Sequence, residues 1–391
     1  MSRQKDKSGF GVKGKDDLAR SFGEMLLSGR ALEKRKSPHI KLEPKLKPRA
    51  KASFGRKDGA PGTSVREPQG GSGQRWLRLP NLFKRRSWKT LVVWGFAIAL
   101  AVQAMALVFN VPVPTLGGRQ LWTDVRISDG WRVQCHAWTG HCRLLDRHNL
   151  RHDWGREDEM LAALDTMVAQ GRIQAPRPDA VVLVHGLGRS AHSLDKMAEE
   201  LRAQGFEAVQ FNYASTQGAI ADHARALNRV LDGLKGVRTV SFVTHSLGGP
   251  VVRQALEQNK QDFEVGRVVM LAPPNQGSHV ARTLSQYAFF RTLLGPALTD
   301  LASPSMQVLA KPPSPFAVIA GRVSVLSGDG DGVVDIEETK LKHMSKHLVV
   351  PASHTFIMDH PDVISFSVDF IGAVRKHAIE TQKAQNEGHK T

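Results

Sequence analysis

Cysteine is nearly missing from this chain: 391 residues contain two, Cys135 and Cys142. At most one disulfide can form. The pair lies in "WRVQCHAWTGHCRLLD", whose alternating arms around a turn near Trp138–Gly140 predict a β-hairpin. With Trp138 and Thr139 at the turn, the two cysteines face each other, and an oxidising compartment lets a bridge persist. A turn displaced by one residue separates the sulfurs. A zinc site from Cys135, His136, His141 and Cys142 is excluded, because adjacent strand residues point to opposite faces and four ligands cannot converge.

Beyond residue 90 the chain also lacks excess charge. The formal net charge of +17 suggests a nucleic-acid binder, yet residues 1–90 hold 24 Lys/Arg against 8 Asp/Glu, leaving 30 against 29 for residues 91–391. Nucleic acid is therefore not an expected partner of whatever follows residue 90. Residues 1–90 are rich in Lys, Arg, Gly, Pro and Ser, as in "SPHIKLEPKLKPRAKASFGRKDGAPGTS", and hold too little apolar surface to offset chain entropy. They read as a mostly disordered basic tail, as residues 381–391 do at the other end. One island, "DDLARSFGEMLLSGRAL", places Leu18, Phe22, Met25 and Leu26 on one face of a short helix. The tail is either simply solvated, the favoured reading, or an arm for anionic lipid or, less expected, nucleic acid.

One apolar run stands out. "LVVWGFAIALAVQAMALVF", residues 91–109, has Gln103 as its single strongly polar residue. As a helix it reaches about 28 Å at 1.5 Å per residue, close to the hydrocarbon thickness of a bilayer. It exceeds the usual apolar core of a signal peptide and is preceded by some ninety residues, so it reads as an uncleaved signal-anchor. Arg75, Arg78, Lys84, Arg85, Arg86 and Lys89 crowd its amino side, whereas Arg119 and Arg126 are the early cations beyond it. The positive-inside rule then keeps the tail in the cytoplasm and carries the rest of the chain outside, into the periplasm of a bacterium, with the anchor in its inner membrane.

From residue 156 onward short apolar runs alternate with helical patterns. "REDEMLAALDTMVAQGRI" spaces Met160, Leu161, Leu164, Met167 and Val168 for a helix, and "SLDKMAEELRAQG" and "AIADHARALNRVLDGL" do the same. "DAVVLVHGLG", "EAVQFNY", "TVSFVT", "GRVVMLAPP", "FAVIAGRVSVLSG" and "HLVVP" read as buried strands, and "DVISFSVDFIGAVRKH" as a closing helix. Such alternation predicts a largely parallel sheet covered on both faces. Reactive groups in such sheets gather at the carboxyl ends of the strands.

"RTVSFVTHSLGGPVVRQAL" sets a serine at the corner between a strand and a helix. Gly248 gives that corner room two residues after Ser246, while Thr244 stands where a G-x-S-x-G elbow has glycine. The helix begins at Leu247 and aims free N–H groups toward the hydroxyl, which favours an oxyanion. "VLVHGLG" ends an earlier strand, and the backbone N–H of Leu187 supplies a second donor to the same crevice. A base must take the serine proton, and a carboxylate must hold that base in its useful tautomer. His354 in "HLVVPASHTFI" follows the last strand; His185 and His245 compete, but backbone packing beside their glycine turns is the role expected of them. Asp329 and Asp331 lie in the loop of "VSVLSGDGDGVV". Asp331 is favoured as the acid because Val333 and Val334 after it can anchor the loop, with Asp329 the alternative. An EF-hand is excluded there, since Val334 falls where that loop requires glycine.

"VVLVHGLGRS", "VTHSLGGPVV", "APPNQGS", "GDGDGVV" and "VPASHTFIM" together resemble the α/β-hydrolase superfamily, in particular bacterial lipases and esterases of the triacylglycerol-lipase type, over residues 178–375. The resemblance implies an α/β-hydrolase fold, Ser246 as nucleophile, Asp331 as acid, His354 as base, Leu187 and Leu247 as oxyanion donors, and neither cofactor nor metal. Phe289, Phe290, Leu293, Leu294 and Leu298 either line an acyl pocket or form ordinary core.

The expected organisation is a tail (1–90), an anchor (91–109), a linker with hairpin and helix (110–175), a catalytic domain (176–380) and a terminal tail (381–391). The expected activity is cleavage of carboxylic esters, lipid esters among them, through an acyl-enzyme. An acyltransferase using the same acyl-enzyme and an idle hydrolase fold serving as an interaction module are the alternatives, and oligomeric state leaves no mark on the sequence.

Overall fold

The computed structural model describes residues 90, 92–98, 100, 101, 112–258, 262–323 and 329–373. The basic tail up to residue 89, its amphipathic island, residues 102–109 of the expected anchor and the terminal tail lie outside the described residues. Within the expected anchor, residues 92–98, 100 and 101 are helical, and Val92, Val93, Trp94, Phe96, Ile98 and Leu100 are exposed. Among the described residues no helix is long and apolar enough to cross a membrane.

Six parallel strands form the main sheet: β6 (Asp179–Val184), β7 (Glu207–Phe211), β8 (Thr239–His245), β9 (Glu264–Leu271), β10 (Phe316–Gly321) and β11 (Lys346–Val350). Their order across the sheet is β11-β10-β9-β8-β6-β7. Val181, Leu183, Val243, Val269 and Leu271 turn to one face, where they meet Leu194, Met197, Ala198 and Leu201 around α2 (Asp195–Ala203) and Val363, Val368 and Ile371 of helix 361–373. The alternate residues Val182, Val240, Phe242, Val268 and Met270 are equally buried. Strand side chains alternate with a period of two, so both faces of the sheet are covered. Helix α3 (Ile220–Asp232) buries Ile220, Ala224, Leu227, Val230 and Leu231, and α4 (Gly248–Gln258) packs beside it, with Asn228 Nδ2 donating to Ala255 O at 3.2 Å.

The region before residue 156 is more ordered than a hairpin on a linker. Strands β1 (Val113–Pro114), β2 (Trp122–Ser128), β3 (Trp131–His136), β4 (Cys142–Leu145) and β5 (Leu150–Gly155) make an antiparallel sheet in the order β1-β5-β4-β3-β2. The expected hairpin is its β3–β4 pair. Strands β2 and β5 escape a reading by alternation because charged groups occupy buried positions in them: Asp124 and Arg151 are buried, as are Gln134 and Arg143 of the hairpin. On one face Val125, Val133 and Leu144 pack with Met160, Leu164 and Met167 of α1 (Glu157–Ala169). Val168, expected on that stripe, is 41% exposed. Met160, Leu164 and Met167 form the buried line, Leu161 and Ala163 pack partly against the same core, and Val168 lies one step round the helix.

The polar interior of this sheet is a closed network. Asp124 accepts from Gln134 Nε2 at 2.7 Å, Gln134 Oε1 accepts from Arg143 at 2.9 Å, and the Arg143 guanidinium lies 3.8 Å over the Trp122 ring. Burial pushes the Asp124 carboxyl pKa up, against the pull of Arg132 and of its hydrogen bonds. Asp124 also ties this sheet to the main one. Its N–H donates to Asn212 O at 2.9 Å, and its carboxylate accepts from the Asn212 N–H at 2.7 Å, just beyond β7.

Cys135 and Cys142 are cross-strand partners and form a disulfide. The register is the one set by a turn centred on Trp138 and Thr139. With a sequence separation of 7, chain-entropy arguments give the bridge about 2–3 kcal/mol. Replacing both cysteines by serine is expected to lower the denaturation midpoint correspondingly, and reductant should then leave the variant's midpoint unmoved while lowering that of the parent.

Candidate active site

Ser246 follows β8 directly and has φ +52°, a left-handed backbone that disfavours a side chain. Two contacts hold it there: its N–H donates to Leu271 O at 2.9 Å, and its carbonyl accepts from the Gly249 N–H at 3.0 Å. The turn is possible because Gly248 has no side chain. A Cβ on Gly248 would lie 2.3 Å from Val184 O, far inside van der Waals contact. Thr244, the departure from glycine, is fully buried, and its Oγ1 has no hydrogen-bond partner among the described residues.

The structure brings three distant side chains together. Ser246 Oγ lies 2.9 Å from His354 Nε2, and His354 Nδ1 lies 2.7 Å from Asp331 Oδ2. The other Asp331 oxygen accepts from the N–H groups of Val333 at 3.0 Å and Val334 at 2.9 Å. With the carboxylate on Nδ1, the histidine carries its proton there and presents Nε2 as an acceptor to the serine hydroxyl. All three residues are buried, Ser246 being 7% exposed. Asp329, the alternative acid, points elsewhere and pairs with Arg322 at 2.8 Å.

Glycines again set the close approaches. A Cβ on Gly321, at the end of β10, would sit 2.3 Å from Ala352 O and 2.8 Å from Asp331 Cβ. The acid and base loops can therefore converge only over a bare backbone. Gly186, in the loop after β6, faces the nucleophile, since a Cβ there would lie 3.0 Å from Ser246 Cβ. Among the described residues the N–H groups of Leu187 and Leu247 have no acceptor, whereas that of neighbouring Gly188 donates to Ser215 Oγ at 3.0 Å. The Leu247 amide adjoins Ser246 in sequence, and the loop that carries the Leu187 amide reaches the serine at Gly186.

His245 and His185 do not act on the serine hydroxyl. His245 Nε2 donates to the carbonyl of His354 at 2.9 Å, so one histidine fixes the backbone of the other. This contact spans 109 positions, and no local pattern announces it. His185 donates from Nδ1 to Gly186 O at 2.9 Å, accepts from the Tyr213 N–H at 3.3 Å, and stacks on the Tyr213 ring at 4.3 Å. Both rings contact backbone at Gly186, so His185 packs beside its own glycine turn whereas His245 lies against the turn of the other loop.

The aromatic stretch from residue 287 divides between its two readings. Leu294 and Leu298 are core, whereas Phe289 is 69% and Leu293 48% exposed. They belong to α6 (Ala288–Leu294) and α7 (Pro296–Ala302), which follow α5 (His279–Ser285). Gly295 joins α6 to α7 and presses on the carbonyl of Thr216, where a Cβ would lie 1.9 Å away.

Burial lowers the pKa of three histidines around the site, taking His185 to about 3, His223 to about 4 and His245 well below its ordinary value. The unfolded chain binds protons to these rings below about pH 6.5 while the folded chain does not. Stability is therefore complete above that pH and falls as the solution is acidified through it toward the lowered folded-state values. Calorimetry between pH 7 and 4 should show a steep drop in Tm, and His223→Asn should flatten it.

Residues 179–322 match a family described as alpha/beta hydrolase fold. No curated protein matches the chain at a significant level. Among solved structures, a lipase from Bacillus licheniformis in its mature form is similar at 21% identity and TM-score 0.40, over 47% of this chain and 88% of its own. A gene product from Listeria innocua is similar at 18% identity and TM-score 0.37, over 50% of this chain and 94% of its own. A phospholipase from Legionella pneumophila gives 17% identity and TM-score 0.40, over 53% of this chain and 64% of its own. The family match and the parallel sheet with its covering helices agree, and the chain carries an α/β-hydrolase fold.

Proposed function

We propose that this chain is a serine hydrolase that cleaves carboxylic esters through an acyl-enzyme on Ser246. One observation carries the reading: an unbroken hydrogen-bond line runs from Ser246 Oγ through His354 to Asp331. In the acylation step Ser246 Oγ attacks the ester carbonyl carbon while His354 Nε2 takes the hydroxyl proton. The carbonyl oxygen becomes an oxyanion and accepts from the N–H groups of Leu187 and Leu247. The C–O bond to the alcohol then breaks, and the imidazolium returns its proton to the leaving oxygen. Water repeats the cycle in the second step, releasing the acid and restoring Ser246. Asp331 holds the Nδ1–H of His354 and steadies the charged ring.

The fluorophosphonate reaction of the full chain tests this reading. Wild type should label at a single serine, and Ser246→Ala should abolish labelling. On p-nitrophenyl esters of graded length, Ser246→Ala should lower kcat by roughly 10⁴–10⁶-fold and Asp331→Asn by about 10⁴-fold. Asp329→Asn should leave kcat within about twofold. A folded wild type inert to both probe and esters would instead identify an idle hydrolase fold.

The same reading makes the protein a single-pass membrane protein, anchored by residues 91–109 with the catalytic domain outside the cytoplasm. The apolar run and the six cations on its amino side support that orientation. Ester-bearing lipids of the adjoining leaflet are then the substrate class most accessible to the site. The full chain should remain with membranes after alkaline carbonate extraction, and external protease should digest residues 112–373 while sparing the amino-terminal tail. Release by carbonate would remove the anchor from the proposal.

A further inference from the structure

The loop that supplies the Leu187 amide is held from outside the hydrolase core. Gly188 and Arg189 are the next two residues of that loop, and both are bound indirectly or directly by Gln120. The Gly188 N–H donates to Ser215 Oγ at 3.0 Å, and the Ser215 hydroxyl donates to Gln120 Oε1 at 2.8 Å. The Thr216 N–H donates to the same oxygen at 3.1 Å, which fixes the orientation of the amide, since a backbone N–H can only donate. Gln120 Nε2 therefore faces the other way, where it donates to Arg189 O. One side-chain amide thus closes a ring across the Gly188–Arg189 pair, from the N–H of the first residue to the carbonyl of the second.

Gln120 is itself fixed. It follows a left-handed turn with φ +69° at Gly117, +95° at Gly118 and +44° at Arg119. That turn is pinned at both ends: Gln134 Nε2 donates to Gly117 O at 3.1 Å, and Asn212 Nδ2 donates to Arg119 O at 3.1 Å and Trp122 O at 2.8 Å. A Cβ on Gly118 would lie 2.8 Å from Trp122 Cβ. The residue that reaches the loop is thus carried by a rigid strand entry, outside the family-matched residues 179–322.

We infer that Gln120 is a positioning residue for the oxyanion loop, which makes the amino-terminal antiparallel sheet part of the active site. This rests on the hydrolase reading above. The loop cannot be held by its own glycines, because Gly186 and Gly188 have the greatest backbone freedom of any residue. The Leu187 amide serves an oxyanion only when it is aimed in advance. Gln120 limits that freedom at the two residues immediately following the donor.

Full-length wild type, Gln120→Leu, Gln120→Glu and Ser215→Ala are compared by kcat per fluorophosphonate-titrated site, KM on p-nitrophenyl butyrate, Tm, and the Ki of a trifluoromethyl ketone. The ketone adds reversibly to the serine and presents an oxyanion without turnover. Removing a whole oxyanion donor costs about 10²–10³-fold in kcat. Loosening its loop is expected to cost Gln120→Leu roughly 10–100-fold per titrated site, with a parallel rise in the ketone Ki and little change in KM. Gln120→Glu keeps the acceptor for Ser215 and Thr216 but loses the donor to Arg189 O, so it should fall between wild type and the leucine variant. A purely structural role would lower Tm or the fraction of titratable sites while leaving kcat per site and Ki unchanged, and that result overturns the inference. If Gln120→Leu does not fold, Gln120→Glu and Ser215→Ala decide by the same two readouts. An inert wild type removes the hydrolase reading itself, whereas an active wild type with indifferent variants removes only the role of Gln120.

Discussion

Between β6 and α4 two backbones meet with no side chain between them, and the site depends on that meeting. Gly248 lies so near Val184 O that even a methyl group would drive the helix away from the sheet. The helix start would then leave the position at which its amides face Ser246, and the serine could not keep its left-handed conformation under the Leu271 and Gly249 hydrogen bonds. Similar bare contacts recur at Gly186 and Gly321, which let the loops of Leu187, Asp331 and His354 crowd around one hydroxyl. The polar groups of the site are thus positioned by sterics first and by hydrogen bonds second.

Electrostatics follow from this packing. His354 is held on three sides: Asp331 binds its ring, Asp331 O accepts from its backbone N–H at 3.1 Å, and His245 binds its carbonyl. His245 can serve because burial keeps it neutral, with a proton on the nitrogen that donates. A charged neighbour at that position would oppose the imidazolium that the proposed reaction requires. The lowered pKa values of His185, His223 and His245 therefore accompany a design in which only one nearby ring is free to exchange its proton with the serine.

Much of this was legible in the sequence because the relevant signals are local. Continuous apolar runs gave the six parallel strands, amphipathic spacing gave α2 and α3, and the glycines at 186 and 248 marked the turns. The choice of Asp331 over Asp329 followed from the valines after it; Val334 is buried, and the amides of both valines donate to the Asp331 carboxylate. What escaped notice is long-range or polar. Strands β2 and β5 bury Asp124 and Arg151, so alternation fails where charges replace aliphatic residues. The contacts of Gln120 with Ser215 and of His245 with His354 cross 95 and 109 positions, and neither residue type stands out in its own neighbourhood.

The Asp124–Asn212 junction has a practical meaning for where this protein can be cut. A fragment trimmed to the family-matched residues 179–322 would discard Asp331 and His354 at one end and Asp124 with Gln120 at the other. It would leave Asn212, Ser215 and Thr216 facing solvent at the carboxyl edge of β7, and the nucleophile without its proton acceptor. The indivisible piece runs from β1 to helix 361–373, so gene rearrangements that respect only the hydrolase boundary would sever the machinery rather than transplant it.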